Sequence, residues 1–237
     1  MKTIFRLVLR TQVTRGRVAA LGALGLLAIV LAIVVRAQDT SGSVGPDTSL
    51  FEIIDRVGLS VLAPVTALVL ASAALGDLAE DRTLVYVWLK PLARWRFVLG
   101  AYAATVAAAV PFAAVPLVAA ALIGGADGAL LGATLVSSLV AVFGYSSLFL
   151  GLGLRVRRAL VWGLAYVVIW EGAIARTARG AARLSVQVYA RSLLAHISDN
   201  ELPRQSAGVA VSIIVPVLVI ITAYFVTVRW LETADVA

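Results

Sequence analysis

Six long apolar stretches leave this chain few folds other than a bundle of membrane-spanning helices. It is 61% hydrophobic with a mean hydropathy of +0.98, and a soluble domain of this size has too little interior for so much apolar surface. Helices are predicted because backbone groups must pair internally in lipid, and the pattern lacks the two-residue alternation of a barrel. We therefore predict one all-α transmembrane domain over 1–237, with spans at about 18–35, 57–76, 97–123, 129–154, 159–175 and 207–228.

Lysine and arginine indicate which ends of the spans face the cytoplasm. With the N-terminus inside, 13 of the 20 basic residues fall on the inner side, and inner loops of membrane proteins carry such an excess. We predict a multi-pass protein of the cell membrane with both termini in the cytoplasm. The inner basic residues are Lys2, Arg6, Arg10, Arg15, Arg17, Arg82, Lys90, Arg94, Arg96, Arg155, Arg157, Arg158 and Arg229.

The residues that enzymes and nucleic-acid-binding proteins use are scarce. Basic residues are spread over every inner loop rather than gathered with aromatics in one patch, so membrane lipid and not nucleic acid is the predicted anionic partner. Cysteine is absent and His196 is the only histidine, so no metal site is predicted. Neither Lys2 nor Lys90 follows a glycine-rich turn, which excludes a P-loop. We predict no catalytic residue and no cofactor bound by this chain.

Two segments outside the spans are amphipathic. Residues 1–14 alternate basic and apolar side chains, which predicts a helix in the membrane interface ahead of the first span. In 176–206, polar residues recur on one helical face, which predicts amphipathic outer helices resting on the membrane surface between the fifth and sixth spans. That polar face consists of Arg176, Arg179, Arg183, Gln187 and Arg191.

Small residues are dense in the third and fourth spans. They let helices approach closely where the hydrophobic effect cannot drive association, so we predict packing contacts there. These residues include Ala103, Ala107, Gly144, Gly151 and Gly153.

One acid, Glu171, falls within a predicted span. A charge deep in hydrocarbon costs about 2.5–3.5 kcal/mol on insertion scales, so acids at such positions tend to be functional. Glu171 is also close to the predicted end of its span and to Arg176. An interfacial acid beside that arginine and a group in a translocation path or gate are therefore both open interpretations.

Residues 76–96, between the second and third spans, predict a short amphipathic helix on the cytoplasmic side. Acids fall at its start and basic residues at or beyond its end, which suits the helix dipole. An apolar face is predicted because Leu84, Val85, Trp88 and Leu89 recur at one-turn spacing. A helix of this kind offers a soluble partner a surface to bind.

The same segment resembles the type-2 ABC transporter permease family. In that family an acid-rich stretch ending in Thr, followed by Pro and Arg, links the second and third spans. The resemblance extends to the six spans, the N-terminal interfacial helix and the outer helices. Arg82 and Ala101 depart from the pattern, because the family usually has Gly and Lys there. The matching residues are Gly76, Asp77, Glu80, Asp81, Thr83, Lys90, Pro91, Arg94, Trp95, Val98, Leu99, Gly100 and Tyr102.

The resemblance implies the permease subunit of an exporter that hydrolyses nothing itself. ATP and Mg²⁺ would be held by a cytoplasmic P-loop ATPase subunit present in two copies, and the chain would pair with a second copy of itself or a homologous permease. The family's translocation path lies near the second and fifth spans, which here contain Pro64 and Glu171. The residues that the resemblance assigns to a coupling helix for the ATPase are Asp77, Glu80, Asp81, Thr83, Pro91, Arg94 and Arg96.

A second hypothesis is a gradient-driven secondary carrier or a membrane scaffold that transports nothing. A carrier would be expected to show more buried charges or interrupted helices in repeated halves, and the sequence shows neither. A scaffold would not need the cytoplasmic helix.

Overall fold

The computed structural model describes residues 2–39, 46–80, 93–174, 182–199 and 207–233, which are almost entirely helical. Two of the helices, α3 and α6, change type along their length. Within the described residues the helices are α1 (Lys2–Gln12), α2 (Arg15–Asp39), α3 (46–80), α4 (Arg94–Gly124), α5 (Gly128–Arg155), α6 (Ala159–Ile174), α7 (Val186–Ile197) and α8 (Val209–Thr233).

Five helices, α2, α3, α4, α5 and α8, are long and apolar enough to cross a membrane. This confirms a multi-pass helical architecture and five of the six predicted spans, although their bounds differ by several residues. The remaining predicted span, 159–175, is the shorter apolar helix α6, with seven α-helical and nine π-helical residues. At 1.5 Å per residue it covers about 24 Å, short of the roughly 30 Å of hydrocarbon. The six-span arrangement is therefore not confirmed.

Both α3 and α6 contain a π-helical stretch of nine residues, Ile54–Leu62 in α3 and Tyr166–Ile174 in α6. The stretch in α3 ends where the N–H of Ala63 donates to the carbonyl of Gly58, five residues back. Pro64 follows and has no N–H with which to continue that ladder, so α-helical geometry resumes there. Such stretches are rare and are found mostly at functional sites.

Contacts between helices show their directions. Leu50, at the start of α3, packs against Gly124 at the end of α4, whereas Gly76, near the end of α3, approaches Gly153 of α5. The helices α1, α2 and α4 start at one end of the bundle, where α3, α5 and α8 finish; we call it the basic end. Described arginines at or near the basic end are Arg10, Arg15, Arg17, Arg94, Arg96, Arg155, Arg157, Arg158 and Arg229.

Glycines of α5 bring its backbone close to its neighbours. A Cβ atom at Gly153 would lie 2.7 Å from the carbonyl oxygen of Ser72 on α3, so the two backbones touch. Gly151 and Gly144 similarly allow α8 and α7 to approach. Packing through small residues is thus confirmed at all three glycines. It is not confirmed at the two predicted alanines, which are exposed: Ala103 and Ala107.

The N-terminal helix α1 packs against the part of α4 nearest the basic end. Val8 is fully buried, and Ile4 lies against Gly100 of α4. The buried Gln12 amide donates to the hydroxyl of Thr105 at 2.7 Å. Residues 2–12 therefore form a helix whose apolar side chains pack partly on α4, while Leu7 is exposed. The predicted position of this helix in the membrane interface stays a prediction.

Helix α7 lies inside the bundle, which corrects the prediction of a helix resting on the membrane surface. Gln187, on the predicted polar face, is 3% exposed, and Leu194 on the opposite side is fully buried. Arg191 turns inward because the buried Asp55 of α3 is its partner, whereas Arg183 on the same predicted face is exposed. By contrast Leu184, just before α7, is 71% exposed.

Candidate functional site: two buried carboxylates that hold one helix

Asp55 lies on the π-helical stretch of α3 and forms an ion pair with Arg191 of α7. The Arg191 guanidinium donates one hydrogen bond from Nε to Oδ1 of Asp55 and a second from Nη2 to Oδ2, the second at 2.5 Å. The side chain of Asp55 is 6% exposed and that of Arg191 is 25% exposed, so the carboxylate is the more deeply buried partner. Two-pronged arginine–carboxylate pairs are strong and geometrically specific. This pair therefore fixes the orientation of α7 against α3.

Glu171 lies on the π-helical stretch of α6 and is 2% exposed. Oε2 accepts a hydrogen bond from the hydroxyl of Tyr145 on α5, and Oε1 accepts from Tyr166 and Ser185, each at 3.3 Å. Each of these three hydroxyls can donate, which suits a carboxylate that only accepts.

Ser185 has two functions in this cluster because it is also the N-cap of α7. Its hydroxyl oxygen accepts from the N–H of Val188 at 3.4 Å, while its proton points to Glu171. Serine is a favoured N-cap because its oxygen satisfies a free N–H of the first helical turn. Glu171 therefore binds the first turn of α7, and Asp55 binds the same helix through Arg191, five residues further along.

The two contacts lie at different depths of the bundle. Tyr145 is ten residues before Arg155, which places Glu171 about 15 Å from the basic end, half of the roughly 30 Å hydrocarbon thickness. Asp55 lies between Leu50, which packs on Gly124, and Gly58, so it is nearer the opposite end. The helix α7 thus runs from the middle of the bundle toward that end.

The arrangement is suited to holding a helix rather than to catalysis or metal binding. Among the residues that the structure describes, no group of three or more His, Cys, Asp or Glu could hold a metal ion. The carboxylates and their donors already pair with one another across α3, α5, α6 and α7. These contacts therefore hold α7 in place, and breaking them would release it.

The structure buries both residues that the sequence assigned to a path or gate. Pro64 is buried at the start of the second α-helical part of α3. Glu171 is enclosed by tyrosine and serine hydroxyls, and both of its interpretations, an interfacial acid and a group in a path or gate, stay predictions. Arg176, its predicted neighbour, lies outside the described residues.

Most residues of the predicted coupling helix cannot be compared with the structure. Asp81, Thr83 and Pro91 lie outside the described residues. Asp77 and Glu80 belong to the last turns of α3. The backbone there continues the preceding long helix, so a helix beginning at Asp77 is not confirmed.

Arg94 and Arg96 open α4 at the basic end. Arg94 donates Nη1 to the backbone carbonyl of Glu232 at 2.8 Å, which joins the start of α4 to the end of α8. The hydroxyl of Tyr224 on α8 donates to the carbonyl of Trp95 at 2.9 Å. The guanidinium of Arg96 lies over the Trp95 ring, 5.1 Å from its centroid. Hydrogen bonds therefore join the start of α4 to the last helix, α8.

Sequence reasoning missed Asp55, Tyr145 and Tyr166, and it placed Arg191 on a solvated face. Asp55 had a signal, because an acid six residues after Ser49 stands close to a long apolar run. Nothing local marks the two tyrosines, which are ordinary aromatic residues of predicted spans.

No family model matches this chain, and comparison with curated proteins finds no match either.

Proposed function

We propose that the chain is the permease subunit of an exporter driven by a separate cytoplasmic P-loop ATPase subunit, which holds the ATP and Mg²⁺. The observation that carries the proposal is that α3 ends and α4 begins at the basic end, which gathers most of the described arginines. Residues 81–92, which join the two helices in the sequence, belong to the segment that the resemblance assigns to docking on the ATPase. By the positive-inside rule that end faces the cytoplasm of the cell, together with both termini.

Six crossings are proposed, with the fifth made by α6 and α7 in succession. Both α1 and the end of α8 contact α4 near the basic end, so an even number of crossings is required. Five long helices supply five. The helix α6 rises from the basic end to the depth of Glu171, and α7 continues from the depth of Gly144 toward the opposite end.

Acidic residues at the end of α3 support a docking role for this segment. The helix dipole disfavours negative charge at a C-terminal turn by about 0.3–1 kcal/mol per residue. Asp77 and Glu80 therefore do not serve the stability of α3. A basic surface on the ATPase subunit would compensate them, and the contact of Arg94 with Glu232 would transmit a push on 81–92 to α8.

The helix α7 is the proposed gate on the outer side of the path. ATP-driven movement of α3 relative to α5 would separate Asp55 from Arg191 and release α7. Two copies of the chain, or this chain and a homologue, would pair so that the freed region borders a shared path. Glu171 holds the first turn of α7 from the π-helical stretch of α6, and Pro64 lies just beyond the π-helical stretch of α3.

The test is ATP turnover by the assembled complex. The chain is purified with its P-loop ATPase subunit in lipid nanodiscs, and turnover is compared with that of the isolated ATPase. Glu80→Lys/Asp81→Lys should abolish stimulation of turnover. Glu52→Lys, at an exposed acid of the other end, is the matched charge reversal and should leave it intact. Full coupling after the double reversal would exclude docking at 81–92.

A gradient-driven carrier is the second candidate, and the structure adds an observation in its favour. Buried charges and interrupted helices are expected of such carriers, and Asp55, Arg191 and Glu171 lie on or against two π-helical stretches. Transport by the purified chain in vesicles without nucleotide, driven by an ion gradient, would identify this alternative.

A further inference from the structure

We propose that the groove between α5 and α8 binds one phospholipid with an anionic headgroup. The groove has a volume of about 400 Å³, within the usual range for small-molecule sites. A second groove on the other side of α8, against α4, has only about 170 Å³ and falls below that range. This inference does not depend on the proposed function.

The shape of the groove fits a hydrocarbon chain. Along α8 it extends from Val215 to Trp230, which is about 22 Å at 1.5 Å per residue. A volume of about 400 Å³ spread over that length makes the groove long and narrow, which is the shape of an extended acyl chain. The length exceeds one leaflet of hydrocarbon, roughly 15 Å.

The two buried polar side chains in the groove wall, Ser147 and Thr227, need nothing from a ligand, and the wall's other polar residues, Thr222 and Trp230, are exposed. The hydroxyl of Ser147 donates to the carbonyl of Gly144 at 2.7 Å, and that of Thr227 donates to the carbonyl of Ala223 at 2.7 Å. Because these hydroxyls are already paired, the wall presents an apolar surface with no buried donor left to satisfy. Such a wall favours a lipid tail over a polar substrate.

Two arginines lie where the groove reaches the basic end of the bundle. Arg155 lies one turn beyond Gly151 on α5, and Arg229 lies one turn beyond Val226 on α8, so both follow wall residues on the same helix faces. Both are exposed, and neither forms an ion pair with a described residue. Glu232, three residues beyond Arg229, is the nearby acid, and the two arginines outnumber it. Guanidinium groups bind phosphate through paired hydrogen bonds.

The experiment is native mass spectrometry of the full chain released from micelles. Dipalmitoyl phosphatidylglycerol and dipalmitoyl phosphatidylcholine are titrated separately, and the dissociation constant of the first bound lipid is measured for each. We expect one tightly retained phosphatidylglycerol. Arg155→Gln/Arg229→Gln should weaken its binding roughly 30-fold, because each basic side chain at a membrane surface contributes about fivefold.

Two matched controls separate a built site from general surface charge. Arg6→Gln/Arg10→Gln removes the same charge from exposed positions of α1 and should leave the affinity unchanged. Ala223→Leu fills the groove and should weaken both lipids, whereas Ala103→Leu, on an exposed face of α4, should not.

Three results would overturn the site. They are equal binding of the two lipids, equal losses in the two arginine pairs, and retention of lipid by Ala223→Leu. A dimer that Ala223→Leu dissociates without changing lipid binding would assign the groove to a second copy and would also overturn it.

Discussion

Removing one partner of the Asp55–Arg191 pair is predicted to destabilise the fold by an amount that depends on which charge remains. Arg191→Met leaves the Asp55 carboxylate, 6% exposed, without a partner, whereas Asp55→Asn leaves a guanidinium that is 25% exposed and keeps part of its hydration. Leaving a buried charge uncompensated costs about 3–5 kcal/mol. We expect that full cost for Arg191→Met. For Asp55→Asn we expect about 1.5–3 kcal/mol, the value of a hydrogen bond to a charged group.

The double variant Asp55→Asn/Arg191→Met isolates the cost of the uncompensated charge. Replacing both members of a buried ion pair by neutral groups is often close to neutral. The double variant should therefore be more stable than Arg191→Met alone. The coupling energy from the complete cycle should reach about 2–3 kcal/mol.

Equilibrium unfolding in lipid–detergent micelles, titrated with a denaturing detergent, measures these free energies through the fluorescence of the five tryptophans. The matched control is Arg56→Met, one residue from Asp55. Arg56 is 71% exposed and pairs with Glu52 at 3.4 Å, so its loss should cost about 0.2–1 kcal/mol. If Asp55→Asn proves the costlier single change, or Arg191→Met costs no more than Arg56→Met, the reasoning from burial is wrong.

Three further predictions use the same chain. Tyr145→Phe removes a donor from the buried carboxylate of α6 and should lower the free energy of unfolding by about 1.5–3 kcal/mol in the same titration. Gly153→Ala would put a Cβ 2.7 Å from backbone oxygen and should destabilise by about 1–3 kcal/mol, whereas Gly132→Ala, with open space around it, should be neutral or stabilising. Since the chain has no cysteine, Arg157→Cys and Gly128→Cys can be labelled in sealed vesicles with a membrane-impermeant maleimide. They should react from opposite sides, and reaction from the same side would contradict the topology.

The sequence was sufficient for the long helices because their signal is local. An apolar run of about 20 residues predicts a helix wherever it occurs, and α2, α4, α5 and α8 follow the runs closely. The amphipathic α1 was predicted for the same reason. Its bonds to α4, such as Gln12 to Thr105, were beyond prediction because they join residues 93 positions apart.

The candidate site was mostly unpredictable because its partners are distant in the chain. Arg191 lies 136 residues from Asp55, and the periodicity around it is equally compatible with a polar face in water or one turned toward buried acids. The helix type could not be predicted either, because amino-acid composition does not distinguish a π-helical stretch from an α-helix. Glu171 carried the clearest signal, the cost of an acid within an apolar run, and Asp55 carried a weaker one beside such a run.

The proposed fifth crossing, interrupted between α6 and α7, would explain why polar residues gather in the middle of the bundle. In lipid, each end of a helix exposes backbone N–H or carbonyl groups that no water can satisfy. The start of α7 lies at the depth of Gly144, so its first turn needs acceptors from within the protein. The hydroxyl of Ser185 supplies one, and Glu171 accepts a hydrogen bond from that hydroxyl. A Glu171→Leu chain would keep the fold's apolar packing but leave the Ser185 hydroxyl without its acceptor. Glu171 is thus explained first by the break in the helix, and any role in a gate follows from its position there.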